Sequence, residues 1–111
     1  MGFQRAASTS EFRDGAAVAV TIDGVDVALA REGEEYFALK DECSHAAVAL
    51  SEGDVENCAI ECWAHGATFD LRTGEPNCPP ATEPVATFPV QVDGDDVLVD
   101  VTRTLNGVKP A

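Results

Sequence analysis

The 111-residue chain has two histidines and four cysteines, and each histidine stands close behind a cysteine. Cys43 and His45 are one residue apart in "CSHAAVAL", and Cys62 and His65 are two apart in "CWAHGATFD". Residues 46 to 61 separate the two boxes. Thiolate sulfur and imidazole nitrogen both ligate transition metals, so Cys43, His45, Cys62 and His65 are the candidate metal and cofactor-binding residues. A structural zinc would accept two cysteines and two histidines in a tetrahedron. Small zinc modules, however, usually arrange their ligands as a C-x2-4-C pair followed by an H-x3-5-H pair. Here each box offers one ligand of each type, which suits two metal centres. Cys43 and Cys62 on one iron, and His45 and His65 on the other, would leave two bridging sulfides to complete a tetrahedron at each. A structural zinc module for protein binding stays open as the alternative.

The elements that must carry these boxes read as strands. "AAVAVTI" (16–22) and "VDVALAR" (25–31) flank Asp23-Gly24, a strong hairpin signal, because a type I′ turn needs positive φ at both central residues. "EYFALK" (35–40) follows across Gly33 and extends a meander. Near the C-terminus "TFPVQV" (87–92), a turn in "DGDD", and "VLVDVT" (97–102) form a second hairpin with apolar side chains on a period of two. "STSEF" is the one hint of a helical turn, with Ser8 or Ser10 as its cap. Between the two β portions, "ENCAIECW" (56–63) reads as one strand, "ATFDL" (67–71) as the next, and "PNCPPATEP" (76–84) as a proline-stiffened loop. The expected fold is all-β: an antiparallel sandwich or meander base, with an inserted lobe of loops and short strands. One domain spans 1–111, its base built from about 1–41 and 85–105 and its ligand-bearing lobe from about 42–84.

Composition narrows the partners. Seven basic against twenty acidic side chains give a formal charge of -13, which repels nucleic-acid phosphates and anionic membranes and suits a basic patch on a protein partner. The same surface also serves solubility. The N-terminal "MGFQRAASTSEF" has no apolar core of a signal peptide, and no apolar run is long enough to cross a bilayer, so a cytoplasmic protein is expected. Without a secretory signal, four cysteines point to metal binding before disulfides.

"CSH" followed by "CWAHGATFDLRTG" is similar to the C-x-H and C-x-x-H-G-x-x-F-D boxes of Rieske-type [2Fe-2S] ferredoxins, the ferredoxin components of bacterial multicomponent aromatic ring-hydroxylating dioxygenases. "CPPATEPV" resembles that family's proline loop and "VDGDDVLVDV" its last hairpin, so the resemblance covers essentially the whole chain. It implies one [2Fe-2S] cluster per chain and a single-electron carrier, not an enzyme in its own right. Its partners would be a ferredoxin reductase and a terminal oxygenase, and a monomer is the simplest carrier for serving two partners in turn.

The chemistry of the donors agrees. Two ferric ions, two sulfides and two thiolates sum to zero with neutral imidazoles, so an electron is accepted more easily than by an all-cysteine cluster. Histidine ligation accordingly lifts potentials to about -150 to +300 mV, against about -400 mV for plant-type ferredoxins. High-potential members carry an extra disulfide, and a Ser and a Tyr that donate hydrogen bonds to the cluster. The resemblance places Val48, Ala64, Ala67 and Phe69 at those positions, none with a thiol or hydroxyl, which implies a potential near the lower end.

The remaining residues read as structural. Trp63 and Phe69 pack the lobe, Gly66 permits close backbone approach, Gly74 makes a turn, and Pro79 and Pro80 stiffen a covering loop. Cys58 and Cys78 lie outside the boxes, more plausible as small hydrophobes than as a disulfide. The docking tip would be rimmed by Ala46, Ala47 and Ala64. Rieske ferredoxins that accompany iron-sulfur cluster assembly are a second possible branch. A nitrite reductase subunit is a third and less favoured one.

Overall fold

The computed structural model describes residues 3–12, 15–41, 49–61, 68–76 and 84–107. They form ten strands: β1 (Gln4–Ser8), β2 (Ala17–Ile22), β3 (Val25–Glu32), β4 (Glu35–Lys40), β5 (Val55–Glu56), β6 (Ala59–Glu61), β7 (Thr68–Asp70), β8 (Thr87–Phe88), β9 (Val90–Asp93) and β10 (Asp96–Val99). Thr9–Glu11 and Leu50–Glu52 form short 3-10 turns, and no α-helix occurs among the described residues. The strands make three antiparallel sheets, ordered β1-β10-β9, β2-β3-β4-β8 and β5-β6-β7.

Local chemistry accounts for the meander. Ile22 pairs with Val25 across Asp23 and Gly24, whose φ values of 51° and 80° are the positive pair that a type I′ turn demands. The turn in "STSEF" forms as expected: the Ser8 hydroxyl accepts from the Ser10 N–H while Glu11 Oε2 accepts from the Ser8 N–H, a capping box.

Three expectations need correction. The first strand, β1, was not anticipated: "QRAAS" has little β-propensity and is held by β10, whose Val99 pairs with Gln4. "TFPVQV" is not one strand, because Pro89 cannot donate to a ladder. The chain breaks there, β8 closing onto β4 and β9 onto β10, so Pro89 is where it changes sheets. "ENCAIECW" is likewise not one strand. Val55 pairs with Ile60 and Glu56 with Ala59, a hairpin whose turn residues Asn57 and Cys58 have φ of 54° and 58°.

Two apolar clusters hold these layers together. Val27 and Leu29 join Phe88, Val97 and Val99 between the two larger sheets. Ala28 and Ala30, on the opposite face of the same strand, join Leu39, Leu50, Ile60, Phe69 and Leu71. Strand β3 is therefore buried on both faces, with 0% exposure from Val27 to Ala30. Its large residues face the sandwich, and its alanines leave room for the bulky side chains of the third sheet.

Asp100, the residue after β10, is tied to the break at Pro89. Its backbone N–H donates to the Pro89 carbonyl, and its carboxylate accepts from the Thr102 hydroxyl and N–H and from Arg103 Nε. The Thr102 hydroxyl, then the Thr102 N–H and Arg103, hold this carboxyl below its ordinary value of 3.8, outweighing the opposing effect of burial. A depressed folded pKa means that the contribution is complete above 3.8 and drains as pH falls below it. Asp100→Asn should lower Tm at neutral pH, and the gap to wild type should shrink in thermal melts taken progressively below pH 3.8.

Candidate functional site

Cys43, His45, Cys62 and His65 lie outside the described residues, as do Ala46, Ala47, Val48, Trp63, Ala64, Gly66, Ala67, Cys78, Pro79 and Pro80. The structure describes the segments from which the two boxes spring. Segment 42–48, with Cys43 and His45, leaves from the end of β4 and returns at Ala49. Its two ends are clasped: Asp41 Oδ1 accepts from the Ser51 N–H at 2.7 Å and Asp41 Oδ2 from the Ser51 hydroxyl at 2.8 Å. The Asp41 N–H in turn donates to the Asp26 carbonyl at 2.9 Å, so the clasp is fixed to the central sheet.

Segment 62–67, with Cys62 and His65, connects β6 to β7, and its flanking residues Glu61 and Thr68 are direct partners in that ladder. Behind them Ile60 pairs with Phe69, and both are fully buried.

The two roots meet. The Glu61 N–H donates to the Asp54 carbonyl at 2.9 Å, and Gly53 sits so close to Glu61 that a Cβ there would come within 2.8 Å of its carbonyl carbon and nearer still to the oxygen. The backbone leaving the first box therefore rests on the residue that enters the second. A third root joins them: Pro76, just before segment 77–83, bridges to Phe69, and on the return side the Val85 N–H donates to the Gly74 carbonyl at 2.9 Å. Asp41, Ser51 and Gly53 were not anticipated. Their only signal in the sequence is proximity to the first box, because the partners that give them their roles are distant in the chain.

The chemistry of the donor set fits a two-iron centre. Segments 42–48 and 62–67 each contain one thiol and one imidazole, and among the described residues no group of three or more His, Cys, Asp or Glu side chains offers another metal site. Cys58 is a half-buried free thiol at the tip of the β5–β6 hairpin, packed against the apolar cluster of the lobe. Burial raises its pKa above the ordinary 9.0, against the lowering influence of Arg72, so the thiol is protonated at neutral pH. Arg72 pairs with both oxygens of Glu35, at 2.8 and 3.3 Å, and stacks over Phe37, tying the lobe to β4.

The electrostatics are one-sided. From residue 41 to 71 the chain carries Asp41, Glu42, Glu52, Asp54, Glu56, Glu61 and Asp70 but no lysine or arginine. Among the described residues, no helix is long and apolar enough to cross a membrane.

The family model described as "Rieske [2Fe-2S] domain" matches residues 2–89. The biphenyl dioxygenase ferredoxin subunit of Pseudomonas sp. (strain KKS102) is 38% identical over 104 residues, covering 93% of this chain and 95% of that protein. Among solved structures, the ferredoxin of carbazole 1,9a-dioxygenase from Nocardioides aromaticivorans IC177 superposes with a TM-score of 0.85 at 35% identity, over 89% of this chain and 97% of that one. A ferredoxin solved in complex with the oxygenase of carbazole 1,9a-dioxygenase gives a TM-score of 0.83 at 32% identity, over 88% and 92% of the two chains.

Proposed function

Because the chain belongs to the Rieske [2Fe-2S] domain family, whose domain binds a [2Fe-2S] cluster, we propose that it carries single electrons from a ferredoxin reductase to the terminal oxygenase of a ring-hydroxylating system. In this reading Cys43 and Cys62 hold one iron and His45 and His65 the other. When bound, the cluster supplies a one-electron couple.

The chain's own residues do the rest. The Asp41–Ser51 clasp joins the two ends of the first ligand-bearing segment, and the Gly53–Glu61 contact brings its exit against the entry of the second. The observation that carries the reading is this meeting of the two roots, on a fold shared along nearly full length with dioxygenase ferredoxins. The ferredoxin captured with its oxygenase supports an oxygenase as acceptor, and the dioxygenase relatives favour that client over iron-sulfur cluster assembly. The all-acidic stretch from 41 to 71 supports a basic docking face on each partner, with association slowing as salt rises. A cytoplasmic monomer, with 1–111 as one domain, completes the proposal.

Electron paramagnetic resonance of the dithionite-reduced protein tests it. An anisotropic signal with mean g below the free-electron value is expected. A colourless, silent protein with stoichiometric zinc would replace the carrier by a structural zinc module. The absence of hydroxyls at Val48, Ala64, Ala67 and Phe69 supports a midpoint near the low end of the histidine-ligated range, about -150 mV, and a redox titration above about +100 mV would refute that part.

A further inference from the structure

Far from both boxes, the C-terminal tail returns to their roots through one side chain. Asn106 Nδ2 donates to the carbonyls of Thr73 and Val85, each at 2.8 Å, and Asn106 Oδ1 accepts from the Thr87 N–H at 3.3 Å. The neighbouring Leu105 N–H donates to the Thr87 carbonyl at 2.8 Å. One amide thus stitches together two stretches of backbone, 73–76 and 84–87, which are the entry and exit of segment 77–83.

The first stretch is rigidly tied to the second box. The Gly74 N–H donates to the Asp70 carbonyl at 2.7 Å, the Asp70 N–H to the Glu75 carbonyl at 2.9 Å, and Pro76 bridges to Phe69. Strand β7, which these bonds immobilise, begins at Thr68, the residue that follows the segment of Cys62 and His65. Gly74 is fitted to this arrangement. Its φ is +75°, and a Cβ there would lie 2.9 Å from Asn106 Nδ2 and closer still to the Val85 carbonyl oxygen. Asn106 also lies beyond residues 2–89, the part of the chain that the family model describes.

We infer that Asn106 is a positioning residue for the cluster: acting from the tail, it fixes β7 and the third root, and so sets how firmly the second ligand box is held. The inference rests on the function proposed above. The chemistry is specific to an amide, since two carbonyls need donors and one N–H needs an acceptor, all from one short side chain. Aspartate at this position would turn an oxygen toward two carbonyls, and alanine would leave two acceptors and a donor unmatched.

The test compares full-length holoproteins: wild type, Asn106→Ala, Asn106→Asp, and Val97→Ala as a destabilised control whose side chain is buried in the sandwich cluster. Cluster release to an iron chelator is followed by visible absorbance, and the reduced cluster by paramagnetic resonance. Both Asn106 variants should release the cluster about tenfold faster than wild type, the equivalent of one lost part-buried hydrogen-bond group, and should broaden the resonance. Val97→Ala should melt earlier with an unchanged resonance and release rate. Should Asn106→Ala fail to accumulate, the near-isosteric Asn106→Asp carries the comparison. Release rates and spectra equal to wild type, or release that merely tracks melting temperature across all variants, overturn the inference and leave the electron-carrier reading standing. A wild-type protein without the resonance removes both.

Discussion

Gly53→Ala is expected to yield a protein that no longer retains iron and unfolds well below wild type. The backbone of Gly53, at φ -91° and ψ 175°, is ordinary extended chain that alanine adopts freely, so the effect is steric alone. The added methyl would lie 2.8 Å from the Glu61 carbonyl carbon and nearer to its oxygen, and both atoms are backbone. No rotamer change can relieve the clash. Either Glu61 moves, breaking its bond to Asp54 and its pairing with Thr68, or Gly53 moves and drags Ser51 from Asp41. Each route disturbs the root of one ligand-bearing segment. A loss of about 3–5 kcal/mol is in the range of severe single substitutions and is a large part of the 5–15 kcal/mol typical of a domain. Gly94→Ala is the control: its φ of +64° is strained for alanine, but nothing lies within 4 Å of the new methyl. That variant should lose only about 1 kcal/mol and keep its cluster. Iron per chain and Tm, measured on both, decide the matter. Full iron in Gly53→Ala would mean that the contact between the roots is incidental.

The sequence made the local devices legible and hid the tertiary ones. Asp23-Gly24, the Ser8 cap and the 35–40 strand are specified by residues within a few positions of one another, and all three formed where expected. The Asn57-Cys58 turn escaped because its second residue is a cysteine in the left-handed region, where glycine is the usual marker of such a turn. Strand β1 escaped because what makes it a strand is Val97 and Val99 near the other end of the chain. For the candidate site the division is sharper. The candidate ligands Cys43, His45, Cys62 and His65 stand out by type and spacing, since metal chemistry restricts which side chains can serve. The residues that tie together the chain flanking those segments are an Asp, a Ser, a Gly and an Asn of unremarkable type, and only the folded backbone gives them these contacts.

Phe69→Ala should separate the two apolar clusters experimentally. Phe69 is fully buried, faces Ile60 across the β6–β7 ladder, bridges to Pro76, and packs in the cluster containing Ala28, Ala30 and Leu71. Those alanines already leave the facing sheet without bulk, so the cavity left by the ring has little to fill it. A cost of about 3–5 kcal/mol follows from lost burial and incomplete collapse. Phe69→Leu, which keeps much of the volume, should cost less. Phe88→Ala removes an equally buried ring from the sandwich cluster and should depress Tm by a similar amount. The two differ in what they support. Phe69 stands one residue beyond Thr68 and anchors the third root, whereas Phe88 pairs with Ala38 in the base. In the fully folded state well below Tm, Phe69→Ala should therefore release iron to a chelator faster than Phe88→Ala. Equal release from the two would mean that the lobe opens only when the whole domain unfolds, and that both clusters belong to a single cooperative unit.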